Sequence, residues 1–187
     1  ANNDRVGGII FGVEQHHEYK PVSGKRGVSR LLRGLAHCHD HEAGLASDMD
    51  AALARLRRIA TPGSLIFILS DFQGWNTAAH RQLGLLCRHN ELVVIWHYDP
   101  IEKSLPDRGR YPVKDQGKLV VIDGNNTRLR QQWELEYQQQ HDEVQRTARG
   151  FRCHWLELST ADVDLHALKV GFGRASSKAA LSAQSVA

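Results

Sequence analysis

An α/β fold built on a largely parallel sheet is what this 187-residue sequence predicts, and three observations predict it. Apolar runs such as LIFILS and ELVVIWHY alternate with stretches of helical spacing. Those runs are nearly continuous in apolar residues, as strands covered on both faces are. Two of them end on an acid, Asp71 after Ser70 and Asp99 after Tyr98, at the edge where open parallel sheets bind ligands.

Arg5 to Phe11 (RVGGIIF) reads as a buried strand in which Gly7 and Gly8 mark close packing. His17 to Val22 reads as a short exposed strand that Pro21 confines to an edge. Val28 to His37 and Asp48 to Ile59 have helical spacing, and Thr61-Pro62-Gly63 stops the second helix. Ser64 to Ser70 is the strongest strand. Asn76 or Thr77 caps a helix that runs to about His89, and Glu91 to Tyr98 is a further buried strand closed by Asp99-Pro100. Between Ile101 and Gly124, the patterns YPVKD and KLVVID around Gln116-Gly117 predict a β-hairpin insertion. A long polar helix, Thr127 to Ala148, ends at Gly150. A last strand from Arg152 to Leu158 and a short helix from Asp162 to about Val170 follow. One domain is expected over residues 1–172, with residues 173–187 a fraying tail. The opening ANNDRVGG has the look of a helix-to-strand junction, so a preceding strand and helix are expected to be missing from the sheet.

Hydrophobic and charged fractions of 41% and 24% are those of a globular protein. The net charge of +3 is small and its bases are interleaved with acids, which argues against nucleic acid as a partner. Cys38, Cys87 and Cys153 are odd in number and show no CxxC spacing, so no disulfide framework is expected and a cytoplasmic setting is. No apolar run approaches the roughly 18 residues of a membrane span, and no signal peptide opens the chain.

The histidine-rich HCHDH, His37 to His41, would place two imidazoles at i, i+4 on a helix, a spacing that suits zinc. It lies between two helices instead of after a strand, and reads better as a solvated helix end. No GxSxG, P-loop or GxGxxG occurs, and no coherent catalytic constellation emerges, so an enzyme is not expected. Asp71 is either a turn acid that accepts backbone hydrogen bonds or a ligand. Ser47 and Asp48 have the form of a helix N-cap.

The order GLASDMDAAL, then ILSDF, resembles a von Willebrand factor A-type domain. Ser47 stands in the place of that family's loop threonine, and Asp71 in that of the acid ending its fourth strand. More specifically, DRVGGIIFG, ILSDF, DPIEKSLPDRG (Asp99 to Gly109) and HWLELSTADVDLHAL resemble a bacterial branch called domain-of-unknown-function family 58, over nearly the whole chain to about Phe172. The resemblance implies a Rossmann-like three-layer sandwich with strand order 3-2-1-4-5-6 and one antiparallel edge. It puts the first strand and its DxSxS metal ligands ahead of Ala1. It further implies a partial metal-ion-dependent adhesion site of Ser47 and Asp71, with weak or no magnesium binding by this segment. The implied role is protein–protein interaction, assisting assembly or maturation of other proteins with a MoxR-type AAA+ ATPase. Without the first strand, two strands in mid-sheet either pair directly or admit another chain, as in a swapped homodimer. The rival expectation is a metal-dependent hydrolase that uses Asp71 and the His37–His41 cluster.

Overall fold

The computed structural model describes residues 4–12, 16–37, 48–115 and 118–161. The chain starts with an antiparallel pair, β1 (Arg5–Phe11) and β2 (His16–Ser23), irregular between Val6 and Gly8. A Cβ on Gly7 would lie 2.5 Å from the carbonyl oxygen of Tyr19, so the irregularity tolerates only glycine there. Helix α1 (Lys25–His37) starts three residues earlier than its apolar spacing indicates, because Gly24, with φ +70°, turns the chain straight from β2 into the helix.

Helix α2 (Met49–Ile59) is capped by Asp48, whose side chain accepts from the Ala51 N–H at 3.2 Å. Strand β3 (Leu65–Ser70) follows, then α3 (Thr77–Cys87) with Asn76 as its cap, accepting from the Ala79 N–H at 2.9 Å. Strand β4 (Glu91–Tyr98) leads into a four-residue helix α4 (Pro100–Lys103) that periodicity is too short to reveal. The expected hairpin is present as β5 (Arg110–Asp115) and β6 (Lys118–Asp123). Helix α5 (Thr127–Gly150) has the glycine expected to end it as its last residue. Just beyond it Arg152 adopts φ +61° and the Cys153 N–H bonds back to the Ala148 carbonyl at 2.8 Å, which closes the helix end. That turn occupies Arg152 and Cys153, so β7 is His154–Ser159 and begins two residues later than the apolar pattern indicates.

Strands β3, β4 and β7 form a parallel sheet with β4 in the middle. Leu92 to Trp96 of β4 are all buried, the pattern of a strand covered on both faces. On one face Ile66 and Ile68 join Leu92, Val94 and Trp96 under Met49 and Leu53 of α2, Leu83 and Leu86 of α3, and Val144 and Ala148 of α5. Among the described residues β1 and β3 do not pair, so direct pairing across the expected gap does not occur. The helix expected from Asp162 and the tail from 173 lie outside the described residues.

Leu83 is 1% exposed in the helical layer, whereas Leu119 of the hairpin is 74% exposed. Leu83→Ala is expected to cost about 2–5 kcal/mol in urea unfolding, and Leu119→Ala to stay within about 0.5 kcal/mol. Equal costs at the two positions would mean that the core is misplaced.

Candidate functional site

The segment ILSDFQGW delivers Asp71 at the carboxyl end of β3 and fixes it there. Asp71 Oδ1 accepts the Gln73 N–H at 3.1 Å and the Ser70 hydroxyl at 3.3 Å, while Ser70 Oγ accepts the Phe72 N–H at 3.0 Å. Asp71 is therefore a turn acid. Only one of its oxygens is used in this way: Oδ2 has no hydrogen-bond partner among the described residues.

Phe72 has φ +56°, a left-handed conformation that is rare for an aromatic residue and costs on the order of 1–3 kcal/mol. The surroundings hold it there. Its ring is 1% exposed, stacks on Trp96 at 5.6 Å and meets Trp75 edge-on at 6.0 Å. Its carbonyl accepts from the Trp75 N–H at 3.0 Å and from Gln140 Nε2 at 2.7 Å. Gly74, with φ +79°, completes the reversal. The acid is thus clamped by the core through its neighbour.

Strand β4 contributes Asp99, beside β3 and in parallel register. Asp99 Oδ1 accepts the Ile101 N–H at 3.0 Å and Oδ2 accepts the Thr160 hydroxyl at 2.7 Å, and these bonds hold its carboxyl below the usual range. The Thr160 N–H bonds to the Tyr98 carbonyl at 2.9 Å, which stitches the ends of β4 and β7 together. Glu102 closes a capping box on Asp99, accepting its N–H at 3.2 Å. Burial pushes the Glu102 carboxyl up, and the charges of Asp71 and Asp99 push it further.

Two cavities meet at these acids. One of about 820 Å³ has Asp71, Gln73, His97, Asp99, Glu102 and Thr160 at its polar end, and its remaining lining is mostly apolar. A second, of about 180 Å³, also includes Asp71 and Glu102 in its wall and is bounded by Trp96, Trp133 and Tyr137. Behind it Trp96 Nε1 donates to Tyr137 Oη at 3.0 Å, and burial pushes the Tyr137 hydroxyl up to about 12. Trp133 Nε1 donates to the Glu102 carbonyl at 2.7 Å, pinning α4 to α5.

Of the two residues expected to ligate a metal, Asp71 is at this site and Ser47 lies outside the described residues. Asp48 beside it is an ordinary helix cap. His37 ends α1 with Nδ1 bonded to the Arg33 carbonyl at 2.7 Å, and it is not among the residues lining either cavity. The rest of the HCHDH cluster lies outside the described residues. Asp71 Oδ2 suits a hard cation such as Mg²⁺, but one carboxylate oxygen is a minimal ligand set. Among the described residues no group of three or more His, Cys, Asp and Glu is placed to hold a metal ion. Asp71 and Asp99 are marked by their places at strand ends in the sequence; Glu102 is not, and its only signal is the capping-box spacing Asp-Pro-x-Glu from Asp99. Cys87 and Cys153, distant in sequence, are both free, with their sulfurs 3.3 Å apart.

The acid cluster gives a pH-dependent prediction. Because the folded pKa of Glu102 is raised, its contribution to stability is fully present below the unfolded carboxylate pKa and is lost as pH rises through the folded one. Asp99 is depressed, so its contribution is present above the unfolded pKa and is lost as pH falls through the folded one. Glu102→Gln keeps an acceptor for the cap and is expected to raise Tm at pH 7 but not at about pH 3.5, below the ordinary glutamate value. Asp99→Asn is expected to lower Tm at pH 7. Calorimetry at the two pH values checks both; a lower Tm for Glu102→Gln at pH 7 would mean that its charge is not repelled.

Residues 1–143 match a family described as "Protein of unknown function DUF58". Uncharacterized proteins of Mycobacterium bovis and Mycobacterium tuberculosis are 27% identical over 164 residues, covering 86% of this chain and 50% of their own length. An uncharacterized protein of Mycobacterium avium is 28% identical over 142 residues, covering 74% of this chain and 82% of its own. This chain therefore spans about half the length of the first two relatives. The crystal structure of the conserved hypothetical protein BatB from Bacteroides thetaiotaomicron superposes with a TM-score of 0.58, at 15% identity, over 93% of this chain and 80% of that one. That likeness concerns the fold, a mixed α/β arrangement with a parallel sheet. By the match over residues 1–143, the chain belongs to the DUF58 family.

Proposed function

We propose that this chain is a protein-interaction domain of the von Willebrand A type, with its recognition face at the carboxyl ends of β3, β4 and β7. The observation that carries the reading is Asp71, locked by its Asx turn and by Phe72, with Oδ2 left without a partner among the described residues. A cation such as Mg²⁺ held there, with Ser47 as the second ligand, would keep open positions for a carboxylate of the partner. The neighbouring Glu102, already raised by Asp71 and Asp99, gives the site a local excess of negative charge that favours a cation. The strand order is also in keeping with the reading: β2 beside β1, then the cavity, then β3, β4 and β7. The proposed setting is the cytoplasm, where the domain would assist assembly or maturation of other proteins together with a MoxR-type AAA+ ATPase.

The test is a calorimetric titration of Mg²⁺ into this chain and into a longer protein that extends it by the strand and DxSxS motif the resemblance implies, each with and without Asp71→Ala. Binding is expected to be weak in the chain and stronger in the longer protein, and Asp71→Ala should weaken it by about tenfold or more, roughly 1.4 kcal/mol. Asp71→Ala is also expected to stay folded, since the aromatic stack on Phe72 remains. No Mg²⁺ binding by the longer protein, or binding that the folded variant leaves unchanged, would overturn the metal-assisted reading.

A further inference from the structure

Two cysteines that the recognition face does not use meet near the other end of β4. Cys87 is the last residue of α3, and Cys153 immediately precedes β7. Both are free thiols, half-buried, and their sulfurs lie 3.3 Å apart. A side-chain adjustment of roughly 1 Å brings such a pair to bonding distance.

The surroundings hold the two thiols together from both sides. The Phe151 ring is seated on α3: a Cβ on Gly84 would come within 2.7 Å of its Cζ, and the His80 ring packs against it at 5.1 Å between centroids. Gly84 lies one turn before Cys87, and Phe151 two residues before Cys153, so this contact brings the cysteines face to face. The Cys153 N–H bonds to the Ala148 carbonyl at 2.8 Å, and Asn90 Nδ2 donates to the Leu86 carbonyl at 3.0 Å. Both backbones are thereby anchored, and the thiols need little further ordering to react with each other. Their mutual hydrogen bond draws the Cys87 thiol below its usual value and pushes Cys153 up, which makes Cys87 the nucleophile of the pair.

We propose that Cys87 and Cys153 form a reversible oxidation site, at which a peroxide converts the dithiol into a disulfide that ties the end of α3 to the turn between α5 and β7. The Cys87 thiolate attacks one peroxide oxygen, the O–O bond breaks, and hydroxide leaves with the proton that Cys87 gave up, as water. Cys87 is then a sulfenic acid. The Cys153 sulfur attacks the Cys87 sulfur, the S–O bond breaks, and the hydroxyl leaves as water with the Cys153 proton. Two thiols have lost two electrons and two protons, and one peroxide has become two waters. The bond joins residues 66 apart and encloses β4, α4, the hairpin and α5. In the proposed cytoplasmic setting thiols are kept reduced, so the link is transient and reports oxidant. The pair precedes β4 and β7 whereas the acids follow the strands, so the lock acts on the helical layer, away from Asp71 and Asp99.

The experiment treats the reduced chain with hydrogen peroxide and follows it by intact mass, peptide mapping and calorimetry. The mass is expected to fall by about two daltons, for the two hydrogens lost, with Cys87 linked to Cys153 and Cys38 still open to alkylation. Tm is expected to rise by about 5 °C or more, because a bond across 66 residues restrains the unfolded chain. Dithiothreitol should return both mass and Tm to their starting values. In Cys153→Ser the Cys87 sulfenic acid lacks a resolving thiol and should be trapped by dimedone, whereas Cys87→Ser should give no such adduct at Cys153. Absence of the Cys87–Cys153 link at every peroxide concentration that leaves the chain folded would overturn the proposal. So would a link through Cys38 instead, or a linked chain whose Tm is unchanged or lower. No step involves Asp71 or a cation, so this outcome is separate from the Mg²⁺ titration.

Discussion

The pairing of β3 with a β4 strand buried on both faces is the constraint from which the rest of the structure follows. Burying Leu92 to Trp96 provides a large share of the core, with each fully buried apolar side chain contributing on the order of 1.5–3 kcal/mol. The parallel register then brings the ends of both strands to one side, so Asp71 and Asp99 become neighbours. It sets Ser70 opposite Trp96, and the next aromatic, Phe72, comes onto the Trp96 ring. That stack fixes a left-handed backbone that the phenylalanine would not choose, and the strained turn fixes Asp71. One edge of β3 is spent on this pairing, and residues along the strand line the larger cavity.

The acids and the cavity wall are thus two consequences of one strand. The carboxyl end of β3 carries Asp71, held in its turn, while the length of β3 lines the larger cavity with mostly apolar residues. Salt and divalent cations act on the acids at the tip, whereas burial of the apolar length is little screened.

Much of the fold was legible because burial leaves a local signature. The continuous apolar runs of β3 and β4, the Thr61-Pro62-Gly63 stop and the paired YPVKD and KLVVID patterns each report one element. Boundaries failed where a turn overrode the pattern: Gly24 starts α1 early, and Arg152 in a left-handed conformation delays β7. At the site, Asp71 and Asp99 were readable because an acid ending a buried strand is conspicuous. Glu102 was not, because its role depends on a one-turn helix that folds back on Asp99. The contact of Cys87 with Cys153 and the clamp of Phe72 on Trp96 join segments far apart in sequence, and no local pattern encodes them.

The most direct test of this account is native-state amide exchange across β3 in the chain alone, at neutral pH and micromolar concentration. Ile66 and Ile68, whose main-chain groups face β4, are predicted to be among the most strongly protected amides of the chain. Fast exchange at Ile66 and Ile68 would mean that β3 is not paired with β4 in this register, and would contradict the constraint on which the acids' placement depends.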